Sequence, residues 1–120
     1  MTARVAAVDC GTNSIRLLVA DLDPARRTLT DVDRRLEIVR LGQGVDKTGR
    51  LAPEALRRTL GALREYARII RAARVDGVRM VATSATRDAS NAAEFTRGVV
   101  DVLGVEPEVL TGDEIGRAHV

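Results

Sequence analysis

The chain has little that could stack, cross-link or span a bilayer. Of its 120 residues only Tyr66 and Phe95 are aromatic and none is tryptophan, so it offers no platform on which unpaired bases could stack. Cys10 is the only cysteine, which excludes an intramolecular disulfide and a cysteine-based metal cluster. His119 is the only histidine and Lys47 the only lysine. No apolar run approaches the roughly 20 residues that a membrane-spanning helix needs. The N-terminus enters a strand-like pattern with no charged-then-apolar leader, so the sequence predicts a cytoplasmic protein. Neither a nucleic acid nor a membrane is expected as a partner.

What is present is ordinary for a folded domain. Hydrophobic residues make up 45% and charged residues 30%, a balance that a disordered chain lacks. The length suits one domain with a real core. The net charge of +2 is carried almost wholly by arginine. Arg26–Arg27 and Arg34–Arg35 read as solvated turn and strand positions, although guanidinium forks also suit phosphate. There are no internal repeats and no low-complexity segments.

Three strands are predicted in succession, Arg4–Asp9, Ser14–Asp21 and Thr28–Leu41, with Asp23-Pro24 turning between the second and third. Leu36, Ile38 and Arg40 mark the faces of the third. Residues 41–49 then form a glycine-rich loop. Pro53 to about Arg74 is the clearest helix: Leu56, Leu60, Leu63, Ala67 and Ile70 recur at steps of four and three. Pro53 suits its first position and Glu54 its positive end, while Ala52 is a poor cap. Val78–Ala82 reads as a strand and about Ala92 to Leu103 as a second helix. Asn91 and Glu94 are spaced as a capping box, Phe95, Val99, Val102 and Leu103 face inward, and Gly104 ends the helix. Pro107 precedes a short strand, Glu108–Leu110. A three-strand meander followed by helix, strand, helix, strand predicts an α/β fold with a mixed, ribonuclease-H-like sheet rather than a doubly wound parallel one.

The most informative stretch is Val8–Ser14, between the apolar runs Val5–Val8 and Ile15–Ala20. It reads as a hairpin turn suited to a phosphate. Gly11 permits positive φ and close backbone approach. Thr12, Asn13 and Ser14 offer side-chain donors beside successive main-chain N–H groups, an arrangement that binds anions. Asp9 ends the first strand facing the same space, where its carboxylate repels a phosphate unless a divalent cation lies between them. An ordinary polar hairpin turn is the alternative.

Four blocks occur in order: Asp9-x-Gly11-x-Asn13-Ser14; Arg40-Leu41-Gly42-x-Gly44-x-Asp46 with Gly49-x-Leu51; Ala82-Thr83-Ser84-Ala85-x-Arg87-x-Ala89-x-Asn91; and Leu110-Thr111-Gly112-x-Glu114. Together they resemble the N-terminal domain of the exopolyphosphatase and guanosine pentaphosphate phosphohydrolase (Ppx/GppA) family, over residues 4 to about 114. That family belongs to the acetate and sugar kinase, heat-shock chaperone and actin superfamily. A carbohydrate kinase of the same superfamily can share the first block but lacks the third and fourth at these spacings. The resemblance implies a magnesium-dependent phosphohydrolase, homodimeric as the parent protein, that releases orthophosphate from the end of inorganic polyphosphate or from guanosine pentaphosphate. It implies that Gly11, Thr12, Asn13 and Ser14 cradle a phosphate and that Asp9 contacts Mg2+ directly or through water. Arg87 would neutralise charge during phosphoryl transfer. Thr83 and Ser84 are either phosphate ligands or turn formers. Cys10 reads as a small buried strand-end residue rather than a nucleophile.

The chain departs from the family at its end. There the family continues Gly-x-Glu-Glu-Ala-Arg, and its second glutamate is the general base. Here Ile115 stands at that position and cannot take a proton. Glu114, the remaining catalytic candidate, lies one residue early, about 100° away around a helix. The string GAG ATC GGA AGA GCA CAC GTC TGA, which after its first base is the start of a common short-read sequencing adapter, would encode Glu114–Val120 followed by a stop. Residues 1–114 are thus expected to be a partial phosphatase domain, and 115–120 a non-native tail. A chain ending here is expected to be inactive, with Ile15–Ala20 and Val78–Ala82 partly uncovered. A non-catalytic sensor of the same ligands is the reading that Ile115 favours.

Overall fold

The first three strands are consecutive and pair as neighbours. In the computed structural model, which describes residues 2–109 and the backbone alone at Ser84 and Ala85, β1 (Ala3–Cys10) lies antiparallel to β2 (Ser14–Asp23), and β2 antiparallel to β3 (Thr28–Ile38). β4 (Gly77–Ala82) then pairs parallel to the other side of β1, and β5 (Glu108–Val109) parallel to β4. The strand order is β3-β2-β1-β4-β5, the mixed sheet expected from the meander. A parallel partner requires a crossover, and α2 (Pro53–Ala73) supplies it. A short α1 (Val45–Thr48) precedes α2, while α3 (Ser84–Asp88) and α4 (Ala92–Leu103) follow β4.

One face of the sheet carries the core. Ala6, Val8, Cys10, Ile15, Leu17, Val19, Met80 and Ala82 pack against Leu56, Leu63, Tyr66, Ile70, Phe95 and Val99 of α2 and α4. The alternation along β1, buried at 6, 8 and 10 and exposed at 7 and 9, is the period-two pattern of a half-covered strand. At the far end of the sheet from the β1–β2 turn, Arg4 Nε and Nη2 donate to the Asp21 carboxylate at 2.8 and 3.0 Å, and Nη1 to Ala73 O at 3.2 Å.

Several expectations change here. β3 ends at Ile38 rather than at residue 41, because the next residues turn away to bond another segment. Leu36 and Ile38 are exposed, as are Leu22, Leu29 and Val32. The expected partial uncovering of Ile15–Ala20 and Val78–Ala82 is confined to one face: Leu18, Val78 and Val81 are half-buried, whereas Ile15, Leu17, Val19, Ala20, Met80 and Ala82 are buried, and the most exposed apolar side chains lie on the β2–β3 hairpin. On α2, Tyr66 is buried and Leu60 only partly so. The Asn91 side chain makes no helix cap. It bonds Leu51 instead, accepting from Leu51 N at 2.8 Å and donating to Leu51 O at 2.9 Å, an arrangement that no local spacing could reveal.

Candidate functional site

Three of the predicted features meet at the carboxyl ends of the parallel strands β1 and β4, where open α/β sheets bind ligands. Asp9 is the exposed penultimate residue of β1. Gly11–Ser14 forms the turn, closed by Gly11 N donating to Ser14 O at 2.9 Å. Thr83 N donates to Cys10 O at 3.2 Å, extending the β1–β4 pairing by one residue and setting Thr83 beside the turn.

The turn's carbonyls and amides have different fates. Thr12 O accepts from Gly42 N at 2.8 Å, and Asn13 O from Val39 N and Arg40 N at 3.0 and 2.9 Å. The main-chain N–H groups of Thr12 and Asn13 have no hydrogen-bond acceptor among the described residues. Carbonyls drawn to one side leave amides available on the other, and Thr12 and Asn13 are both exposed. Such a turn can hold an anion.

The expected role of Gly11 needs correction. Its φ is not positive, and a Cβ there would meet only Ser14 O, at 3.6 Å. The glycine demanded by close approach is Gly42, where a Cβ would collide with Thr12 Cγ2. Gly42 of the second block therefore belongs to the turn's support.

Behind β4, Thr83 caps α3 through its backbone alone. Its Oγ1 is buried and has no partner among the described residues. Thr86, buried and missed by sequence reasoning, donates from Oγ1 to Thr83 O at 2.8 Å and fixes that bend. Ser84 opens α3. Arg87 lies in its last turn, exposed, with Nε 3.3 Å from Asp88 Oδ1. An exposed ion pair of this kind is weak and leaves the guanidinium able to exchange partners. Glu114 lies outside the described residues.

Register adds one cation that sequence reading passed over. Arg16 stands opposite Asp9 across β1 and β2, and both are exposed on the sheet face away from the helices. Cys10 takes no part in chemistry: it is buried, and burial followed by the nearby Asp9 charge pushes its thiol up to about 12. No group of three metal-ligating side chains occurs among the described residues. The lone Asp9 carboxylate suits an ion that keeps most of its waters and takes further oxygens from a phosphate, as magnesium does.

The chain is similar to known proteins. The chain is 55% identical over 118 residues to Exopolyphosphatase 2 of Mycobacterium tuberculosis, covering 92% of this chain and 37% of that protein. It is 37% identical over 114 residues to the bifunctional 3-dehydroquinate synthase/phosphatase of Fusobacterium nucleatum, covering 91% of this chain and 17% of that one. A crystal structure of the Aquifex aeolicus member of the Ppx/GppA family matches with a TM-score of 0.89 at 37% identity, over 98% of this chain and 38% of that chain. The chain thus spans little more than a third of the mycobacterial relative's length. The model of the Ppx/GppA phosphatase family matches residues 18–119, and the chain belongs to that family.

Proposed function

We propose that this chain is the phosphate-binding part of a phosphohydrolase that releases orthophosphate from the end of inorganic polyphosphate. The observation that carries the reading is the Gly11–Ser14 turn, whose Thr12 and Asn13 carbonyls are engaged by Gly42, Val39 and Arg40 while their amides have no acceptor among the described residues. A terminal phosphoryl group has the dense negative charge that such amides accept. The mycobacterial relative's description as an exopolyphosphatase supports the substrate class.

In this reading the turn fixes the terminal phosphoryl group by its backbone donors, which need no reorganisation as charge develops. Asp9 would hold Mg2+ at the phosphate oxygens, and the ion would supply charge neutralisation there. Thr83 Oγ1 donates a further hydrogen bond, and Arg87 swings from Asp88 to the oxygens that gain charge. The general base belongs to the segment beyond residue 109. The protein acts in the cytoplasm as a homodimer.

Phosphate release by the complete protein carrying this domain tests the reading, with polyphosphate and guanosine pentaphosphate as separate substrates. Turnover on polyphosphate is expected, and Arg87→Ala should lower kcat roughly 10²–10³-fold. Turnover on guanosine pentaphosphate alone makes the protein the other kind of hydrolase, and release from neither substrate refutes the proposal. Ile115 favours a second reading, a non-catalytic sensor of these ligands. Resequencing the locus separates the two: glutamate at 115 restores the enzyme, and a native isoleucine favours the sensor.

A further inference from the structure

Residues 39–51 run from the end of β3 to the start of α2 and touch both halves of the candidate site. At one end Val39 N, Arg40 N and Gly42 N hold the carbonyls of the phosphate turn. At the other, Leu51 is clasped by the Asn91 side chain, and Ser90 N donates to Gly49 O at 2.8 Å, just beyond the helix that carries Arg87. The geometry of the turn is therefore inherited from this strap.

The end of the strap that meets the turn is itself held by a side chain of α2. Arg58, on α2, donates from Nε to Val39 O at 2.9 Å, and from Nη2 to Arg40 O at 3.4 Å and to Gln43 Oε1 at 2.9 Å. The two residues whose amides bind Asn13 O are the same two whose carbonyls bind Arg58. Arg40 has a left-handed backbone, φ 51°, which a residue with a Cβ keeps only when its surroundings enforce it. A planar fork that reaches several acceptors at once can enforce it; a lysine ammonium has no such fixed geometry. Arg58 also lines a cleft of about 380 Å³ with Ile38, Arg40, Gln43 and Glu54. Its bonds to three protein oxygens and the neighbouring Glu54 carboxylate make it a brace rather than an anion ligand.

We propose that Arg58 is a positioning residue for the phosphate turn: through Val39 and Arg40 it sets the Asn13 carbonyl, and with it the direction of the Thr12 and Asn13 amides. The proposal rests on the reading of Gly11–Ser14 as a phosphate site. Small displacements of a binding group are costly because orientation is lost together with contact.

The test uses the complete protein and the variants Arg58→Met, Arg58→Lys and Gln43→Leu. Each is measured for thermal midpoint, for kcat and KM on polyphosphate, and for the affinity of inorganic phosphate alone. Arg58→Met is expected to weaken phosphate binding and raise KM, each about tenfold, with a smaller change in kcat. Arg58→Lys should recover part of the loss, and Gln43→Leu, which keeps both bonds to the strap carbonyls, should shift affinity only about twofold. A merely structural role lowers the thermal midpoint and leaves KM and phosphate affinity of the folded protein unchanged, and that result overturns the proposal. If Arg58→Met does not fold, Arg58→Lys decides: unchanged phosphate affinity in that variant overturns the proposal. If the unsubstituted protein binds phosphate yet hydrolyses no polyphosphate, the proposed function fails while the Arg58 effect on phosphate affinity still supports the positioning role. If it binds no phosphate at all, both are overturned.

Discussion

Replacing Gly42 by alanine probes the contact between strap and turn at its tightest point. The backbone at Gly42 is not left-handed, so an L-residue is allowed there and the cost is steric. The new Cβ would collide with Thr12 Cγ2 and stand 3.4 Å from Thr12 O. Rotating Thr12 about χ1 clears the methyl but moves Oγ1 with it, and shifting the strap lengthens the 2.8 Å bond from Gly42 N to Thr12 O. Overpacking of this kind costs about 1–3 kcal/mol. Alanine offsets roughly 0.4–1 kcal/mol of that by restricting the unfolded chain, leaving a net loss on the order of 1–2 kcal/mol. The informative assay is a double-mutant cycle by urea unfolding, with phosphate affinity measured in parallel. Thr12→Ser removes Cγ2 and keeps the hydroxyl, so Gly42→Ala in that background should be neutral or slightly stabilising. The coupling between the two sites should be about 1–3 kcal/mol. An equal cost of Gly42→Ala in both backgrounds would refute the collision and the close packing inferred from it.

Further predictions concern the frame around the site. Tyr66 donates its buried hydroxyl to Ile15 O at 2.9 Å, so Tyr66→Phe should destabilise the protein by about 0.5–1.5 kcal/mol in urea unfolding. Burial, followed by the Glu37 charge, raises its phenol from 10.0 to about 12. The unfolded chain then loses the proton first, so stability should hold below pH 10 and fall between 10 and about 12, a fall that Tyr66→Phe should reduce. Asn91→Ala leaves both backbone groups of buried Leu51 without their partner and should cost about 1–3 kcal/mol, read as a lower thermal midpoint. Arg74 ends α2 with φ 54°; Arg74→Gly should stabilise by about 1 kcal/mol in thermal unfolding, because glycine adopts that backbone without a Cβ clash.

Local pattern made the hairpin, α2, β4 and α4 legible, since each buries one face whose period is written in neighbouring residues. It misled at β3, where Leu36 and Ile38 alternate like core positions yet lie exposed on an edge strand. It also misled at Asn91, whose partner Leu51 is 40 residues away. The candidate site was legible as residue types at turn spacing, Asp9 through Ser14 and Thr83 through Arg87. Its support was not: Gly42 against Thr12, and Arg58 on the strap carbonyls, are contacts between segments that only the fold brings together. Arg16 escaped notice for the same reason, because its relation to Asp9 exists only through strand register.

The central place of β1 has a consequence for how the chain assembles. Its pairing with β2 closes across a four-residue turn, from Cys10 and Ile15 outward, an event of about 1–10 μs in isolated hairpins. Its pairing with β4 joins segments such as Arg4 and Asp76, which are 72 residues apart, and so carries a loop-closure entropy that the hairpin does not. The candidate phosphate turn is therefore a local product of the chain, whereas Thr83 and Arg87 reach it only after the parallel strand has docked. A ligand that touches both halves binds only once that docking is complete, and by mass action it holds β4 in place against local opening.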